Sequence, residues 1–288
     1  MAEHPGPPGP FAPERTGLLA RAGWAARCWW LISGMWVRSM LTYRASFALS
    51  LAANVLVTFL DFAVLLLMFS HTHRLAGWTL PETAFLYGTS SVALGAANVL
   101  VGSVGGLGER VRAGSLDTML IRPAPALAQL AAERFSLRRI GRVLQAGAVL
   151  AWSLTALDVH WTWDRVLMVP ALLLCGTLIF CALFVGCSCV QFWWGEAAEM
   201  QNAVTYGGGT ILQYPPTVFA RELVAGTVFG IPLAFVNWLP ALHVLDRPDP
   251  LGLPAGFRFA APLAAALCLL AAGLAWRAGL RAYRSTGS

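Results

Sequence analysis

Four polar residues interrupt an otherwise apolar run: Ser50, Asn54, Thr58 and Asp61. Their spacing of i, i+4, i+8 and i+11 sets them on one helical face about three turns long. A carboxylate inside a membrane-length segment is costly and marks a substrate or ion path. On that reading the stripe lines a cavity or meets a partner subunit, and these four residues are the candidate substrate path. The competing reading pairs Asp61 with a buried partner such as a tyrosine hydroxyl, or places it beside the outer headgroups.

Other reactive residue types form weaker patterns. Cys175, Cys181, Cys187 and Cys189 crowd one apolar segment, with Cys28 and Cys268 apart from them. C-x-C without a nearby histidine is a poor zinc signal, and cysteine among apolar residues is a small packer. His71 and His73 form an isolated H-x-H. Glu196 and Glu199 are suited to the start of a helix, where carboxylates meet the positive end of its dipole. Gly105, Gly106 and Gly108 follow an apolar segment rather than a strand, so they suit a hinge better than a nucleotide loop. There is no G-x-S-x-G, H-E-x-x-H or Walker A pattern. All 20 basic residues are arginine, so a P-loop lysine is excluded. The sequence names no catalytic residue, no metal ligand and no cofactor of its own.

The elements that must position these residues are membrane helices. The 288 residues are 57% apolar and 12% charged, with a mean hydropathy of +0.63, whereas a soluble domain is nearer a quarter charged. Hydropathy predicts spans at about 47–69, 82–104, 143–157, 166–190 and 257–276. The 23 residues from Glu82 to Val104 extend about 34 Å as a helix, enough to cross with modest tilt. Gly88, Ser91, Gly95 and Gly102, with Ala84, make a small-residue stripe on that span and predict close helix packing. The fifth span is either 201–219 or 223–245. The later segment is more apolar, but Pro232, Pro240 and Asn237 suit a broken or re-entrant segment buried against protein.

Ahead of the spans, residues 18–44 alternate apolar and basic faces, with Trp29, Ile32, Trp36, Met40 and Tyr43 opposite Arg27, Gly34, Arg38 and Thr42. This predicts an amphipathic helix lying in the headgroups with its arginines snorkelling. A first true span is the alternative; it would hold two central arginines at about 2.5–3.5 kcal/mol each. Residues 1–17, rich in proline and glycine and without an apolar h-region, predict a disordered cytoplasmic tail.

Orientation follows from the arginines. Seven lie between Gly106 and Arg142 (Arg110, Arg112, Arg122, Arg134, Arg138, Arg139 and Arg142). Short basic loops stay in the cytoplasm. Fifteen of the twenty arginines then fall inside, with both termini; Arg74, Arg165, Arg221, Arg247 and Arg258 fall outside if 201–219 is the fifth span.

Three stretches resemble the membrane subunits of ABC-type-2 exporters, in particular the six-span branch of drug and viologen exporters. They are Gly114–Pro123, similar to a G-x-L-D-x-x-L-x-R-P loop after the second span; Tyr214–Phe219 followed by Ile231-Pro232 and Pro240; and Trp276–Gly287, similar to a W-x-x-G-L-x-x-Y-x-S-x-G tail. Together with the N-terminal helix, the likeness runs from about Leu18 to Gly287.

The resemblance implies an all-α polytopic fold: six transmembrane helices, an N-terminal interfacial helix and an outer re-entrant hairpin. It assigns 201–219 as the fifth span and 221–245 as the hairpin. It implies a permease that works as a homodimer or paralogous heterodimer in a bacterial inner membrane, among lipids and without nucleic acid. Separate ATPase subunits would bind ATP and magnesium. The loop 105–142 would couple the two, with Glu109, Arg110, Arg112, Asp117 and Arg122 as its contacts. A secondary transporter would show an internal repeat and more intramembrane charge. A lipid-modifying membrane enzyme would need clustered catalytic groups at one face. No internal repeat stands out, and Glu196 with Glu199 is the nearest thing to such a cluster; a secondary transporter and a lipid-modifying enzyme stay as the alternatives to a permease.

Overall fold

A computed structural model describes residues 18–42, 44–133, 135–136, 138–194 and 197–283. The expected tail at 1–17, Arg134, Glu196, and the end of the C-terminal motif after Tyr283 lie outside the described residues. So do the side chains of Ser50, Asn54, Thr58 and Asp61.

Among the described residues the fold is all helical; the β pairing is a single isolated bridge between Leu75 and Trp78. Two long helices open the chain, α1 (Leu18–Thr42) and α2 (Arg44–His71). Then comes α3 (Leu80–Val101), followed by three short helices, α4 (Leu107–Arg112), α5 (Leu116–Leu120) and α6 (Ala126–Ala132). Two more long helices follow, α7 (Arg138–Ala156) and α8 (Trp163–Cys189). A broken run holds α9 (Ala198–Asn202), a π-helical turn (Ala203–Gly207) and α10 (Gly208–Ile211). The chain ends with α11 (Arg221–Phe229), α12 (Trp238–Val244) and α13 (Ala261–Ala282).

Among the described residues, three helical stretches are long and apolar enough to cross a membrane: Leu80–Arg112, Trp163–Phe192 and Ala261–Ala282. A fourth arises if Arg221–Phe229 and Leu233–Val244, bent by 81°, count as one span. The chain is thus an all-α, multi-pass membrane protein. Where the resemblance assigns a fifth span to 201–219, the helical run covers 198–211 and gives way to a turn before Tyr214. The loop predicted at 105–142 is largely helical in short pieces.

Packing centres on α3, which lies between α7 and α8, while α13 lies along α8. The small-residue stripe explains the closeness of α3 and α7. A Cβ on Gly88 would come within 2.8 Å of Leu150 Cβ, and one on Gly95 within 2.8 Å of Val143 Cγ2. In lipid, where burial of apolar surface adds little, such intimate van der Waals contact is what holds helices together. Ser153 Oγ adds a 2.9 Å hydrogen bond to Pro81 O.

The far end of α3 is pinned by ion pairs. Thr79 and Glu82 form a capping box. Both carboxylate oxygens of Glu82 also receive Arg247, at 2.9 Å from Nε and 2.7 Å from Nη2. Asp164 at the start of α8 meets His243 of α12 at 2.8 Å, and Arg165 meets Asp246 at 3.3 Å. Asn237, fully buried just before α12, donates through Nδ2 to Leu86 O and Leu212 O, both at 3.0 Å. The segment around α12 is therefore bound to α3 and α8 by these ion pairs and by the buried Asn237 amide, whose Nδ2 finds carbonyl partners within the apolar core.

Candidate functional site

The opposite end of the bundle carries the arginine-rich residues and the interrupted helices. After Val101 the chain tightens into a 3₁₀ turn, Gly102–Gly106, then resumes as α4. Gly114, at φ +65°, reverses the chain into α5; that left-handed conformation is inexpensive only for glycine. A second core fixes these short helices. Leu107 and Leu116 are fully buried, and Met119 and Leu130 nearly so, against Val185, Cys189 and Trp276. Gln129 Nε2 closes the α5–α6 turn with 2.9 Å bonds to Met119 O and Ala124 O.

The C-terminal motif completes this core. Gly279 lies so tightly against the Phe192 ring that a Cβ there would overlap it. Trp276 and Tyr283 flank the same ring, with centroids 5.8 and 6.3 Å away. Tyr283 also reaches α5: burial and the neighbouring Asp117 carboxylate push its phenol above the ordinary tyrosine pKa.

The five residues singled out for coupling thus divide. Arg110 turns inward, forming an ion pair with Glu133 and a 3.2 Å bond to Ser115 Oγ. Asp117 is half-buried beside Tyr283. Glu109, Arg112 and Arg122 are exposed. Between Arg112 and Arg122 in the chain, and beside the latter, Leu120 and Ile121 are 45% and 84% exposed. The tip thus presents two exposed apolar residues followed directly by an exposed arginine. The four candidate substrate-path residues all belong to α2, which packs against α7.

Behind the tip is a polar cluster that hydropathy does not reveal. Gly108 N, in the first turn of α4 where helical N–H groups lack partners, donates to Gln191 Oε1 at 2.6 Å. Gln191 Nε2 makes a long 3.5 Å contact with Gln201 Oε1, and Ser188 Oγ donates to that same oxygen at 2.6 Å. Gln201 O accepts from Thr205 Oγ1 at 2.8 Å. All four side chains are buried. A Cβ on Gly105 would lie 2.9 Å from Gln201 Nε2, so this glycine makes room for the glutamine. The cluster joins the start of α4 to the end of α8 and to the broken run from α9 to α10.

Beside it opens a polar cavity of about 290 Å³, lined among others by Ser103, Arg110, Glu133, Arg139, Asn202 and Tyr206. Tyr206 belongs to the π-helical turn, a geometry concentrated at functional sites. Its ring packs edge-on to Phe184, centroids 5.8 Å apart, and its oxygen accepts from Asn98 Nδ2. Arg139 Nη1 donates to Asn98 O at 2.9 Å and Ser103 Oγ at 3.2 Å.

Among the described residues no three His, Cys, Asp or Glu side chains gather as a metal site. His71 instead turns its Nδ1 to Leu67 O at 3.0 Å.

Comparison with curated proteins and with solved structures gives no match. A family model described as ABC-2 family transporter protein matches residues 55–287. That stretch takes in the short-helix tip, the glutamine cluster, the cavity and the C-terminal aromatic clamp. By this match over most of its length, the chain belongs to the ABC-2 family of transporter proteins.

Proposed function

We propose that the chain is the permease subunit of an ATP-driven exporter, working as a dimer on two separate ATPase subunits that bind ATP and magnesium. The observation that carries the reading is the tip after α3. Leu120 and Ile121 are exposed next to the exposed Arg122, at the end of a short helix held from behind by a dedicated core. A rigidly backed apolar pair with an adjoining cation fits a groove on another protein, because it offers an anchor to bury and a charge that sets orientation. Glu109 joins the outer contact. Arg110 and Asp117 support the tip from within.

On this reading the basic end is cytoplasmic, as the arginine excess favours. The six-span arrangement, with 221–245 as an outer re-entrant hairpin, belongs to the same proposal. ATPase closure would push the tip. The buried Gly108–Gln191–Gln201 contacts offer a route for that displacement to reach α8 and the broken α9–α10 run. Asp61 and its stripe on α2 are assigned to the translocation path between two copies.

The test is co-purification with a candidate ABC ATPase subunit co-expressed with this chain. Ile121→Asp combined with Arg122→Glu is expected to reduce complex recovery about tenfold, while the isolated permease keeps its thermal midpoint, since both positions are on the surface. Undiminished recovery would remove the tip from the interface.

A further inference from the structure

We infer that the outward face of α1 is a docking surface for anionic phospholipid. The apolar face that the sequence marks on this helix is turned to the bundle. Cys28 and Ser33 are buried there. Trp29 Nε1 donates to Leu100 O at 2.9 Å, and the Trp29 ring meets Phe135 edge-on, centroids 5.8 Å apart. Ile32 and Trp36 line a groove shared with Met119 and Gln129. The opposite face carries a different set. Trp30, Leu31 and Met35 are 72%, 58% and 69% exposed, and Arg27 and Arg38 are exposed with them. At 3.6 residues per turn these five share one side of the helix, along about three turns.

Charge, apolarity and position together name the occupant. α1 contains no aspartate or glutamate. Among the described residues, neither Arg27 nor Arg38 has an ion-pair partner. Glu133 approaches α1 across the groove on its other side, where Arg110 engages it. Three large apolar side chains among two guanidinium groups suit a headgroup boundary. There the indole and aliphatic groups enter the acyl region while the cations stay with phosphates.

The Trp29 bond also sets the depth of α1, holding it level with the end of α3, inside a membrane-length stretch. Trp193 and Trp194, both exposed, follow Phe192, which packs on the same core as Trp29. Tryptophans gathered at one level mark a membrane–water interface. Because α1 packs against α6 behind the tip, lipid that grips its outer face also steadies the tip's support. The proposal rests on the exporter reading only in making this leaflet the cytoplasmic one; docking itself does not depend on it.

The test uses the full chain in a maltoside detergent with no ATPase present. Phosphatidylglycerol is expected to raise the thermal midpoint saturably, and phosphatidylcholine with the same acyl chains to do so far more weakly. High salt should narrow that difference. Arg27→Gln combined with Arg38→Gln is expected to raise the half-saturating phosphatidylglycerol concentration about 25-fold, since each arginine near an anionic surface is worth about fivefold. Without lipid the variant should keep its midpoint, because both positions are exposed. Lysine at both positions should restore the lipid response to within about twofold, as charge near the surface is what the lipid reads. Each single glutamine variant, with about a fivefold loss, replaces the pair should the pair not fold. Equal shifts from the two lipids, or an unchanged half-saturating concentration in the glutamine variants, would overturn the proposal. A smaller oligomer in those variants with an unchanged lipid response would give the face to a second copy instead. Failure of ATPase co-purification would leave lipid docking standing, so the two readings fail separately.

Discussion

Gly279 shows how much of this fold depends on the absence of one carbon. It sits where a Cβ would overlap the Phe192 ring, in the middle of a clamp that ties α13 to the end of α8 and to α5. Gly279→Val should therefore force the ring or the helix to move, at about 1–3 kcal/mol as for other overpacked cores. A lower thermal midpoint in detergent is expected, with part of the loss recovered by Phe192→Leu in the same chain, since contacting sites couple. Additive losses would show that the clamp is not where the strain falls. The sequence makes this glycine visible only as one letter in a recurring tail pattern. The reason for it lies in Phe192, far away in the chain. Gly88 and Gly95 were more legible, because seven residues of separation already place both on one helical face. Asp61 was legible for another reason: a lone carboxylate stands out against an apolar run wherever its neighbours turn out to be.

Helices were easier to read than their interruptions. Hydropathy and charge spacing mark out the long α3, α8 and α13, since lipid demands about 20 apolar residues per crossing. The 3₁₀ turn at Gly102–Gly106 and the π-helical turn at Ala203–Gly207 carry no such signature. They depend on partners supplied from elsewhere, Gln201 packing at Gly105 and Asn98 bonding Tyr206. Gln191 and Gln201 escape a search for charges, histidines and cysteines because they are neutral. A buried amide is nevertheless a costly thing to leave unpaired, and the pairing it finds is informative. If these glutamines carry motion from the tip to α8 and to the α9–α10 run, Gln191→Met should uncouple transport from hydrolysis. It keeps the side chain's length but abandons Gly108 N, leaving a buried donor unsatisfied at about 1–3 kcal/mol. The expected result is a complex that still assembles and hydrolyses ATP, with transport per ATP reduced several-fold. A variant that loses assembly and hydrolysis along with transport would reduce the glutamines to scaffolding.

The two ends of the molecule are built differently, and this bears on how the whole moves. At the far end, Glu82–Arg247, Asp164–His243 and Arg165–Asp246 tie the starts of α3 and α8 to the segment around α12. At the basic end the helices are interrupted by glycines and irregular turns, and a polar cavity separates them. A molecule latched at one end and articulated at the other should pivot about the latch, so displacement should be largest near the tip. That mechanism works only if the articulated end faces the ATPases. Single cysteines at Thr118 and Pro248, both exposed and at opposite ends of α3, test the orientation directly. A membrane-impermeant maleimide should label Thr118→Cys only in everted vesicles and Pro248→Cys only in right-side-out ones. Reactivity at Thr118→Cys should change when ATP is added to the assembled complex, and at Pro248→Cys it should stay constant. The reversed labelling pattern would put the tip beyond reach of any cytoplasmic motor and would sink the coupling proposal with it. Equal ATP response at both ends would instead leave the orientation intact and rule out the pivot.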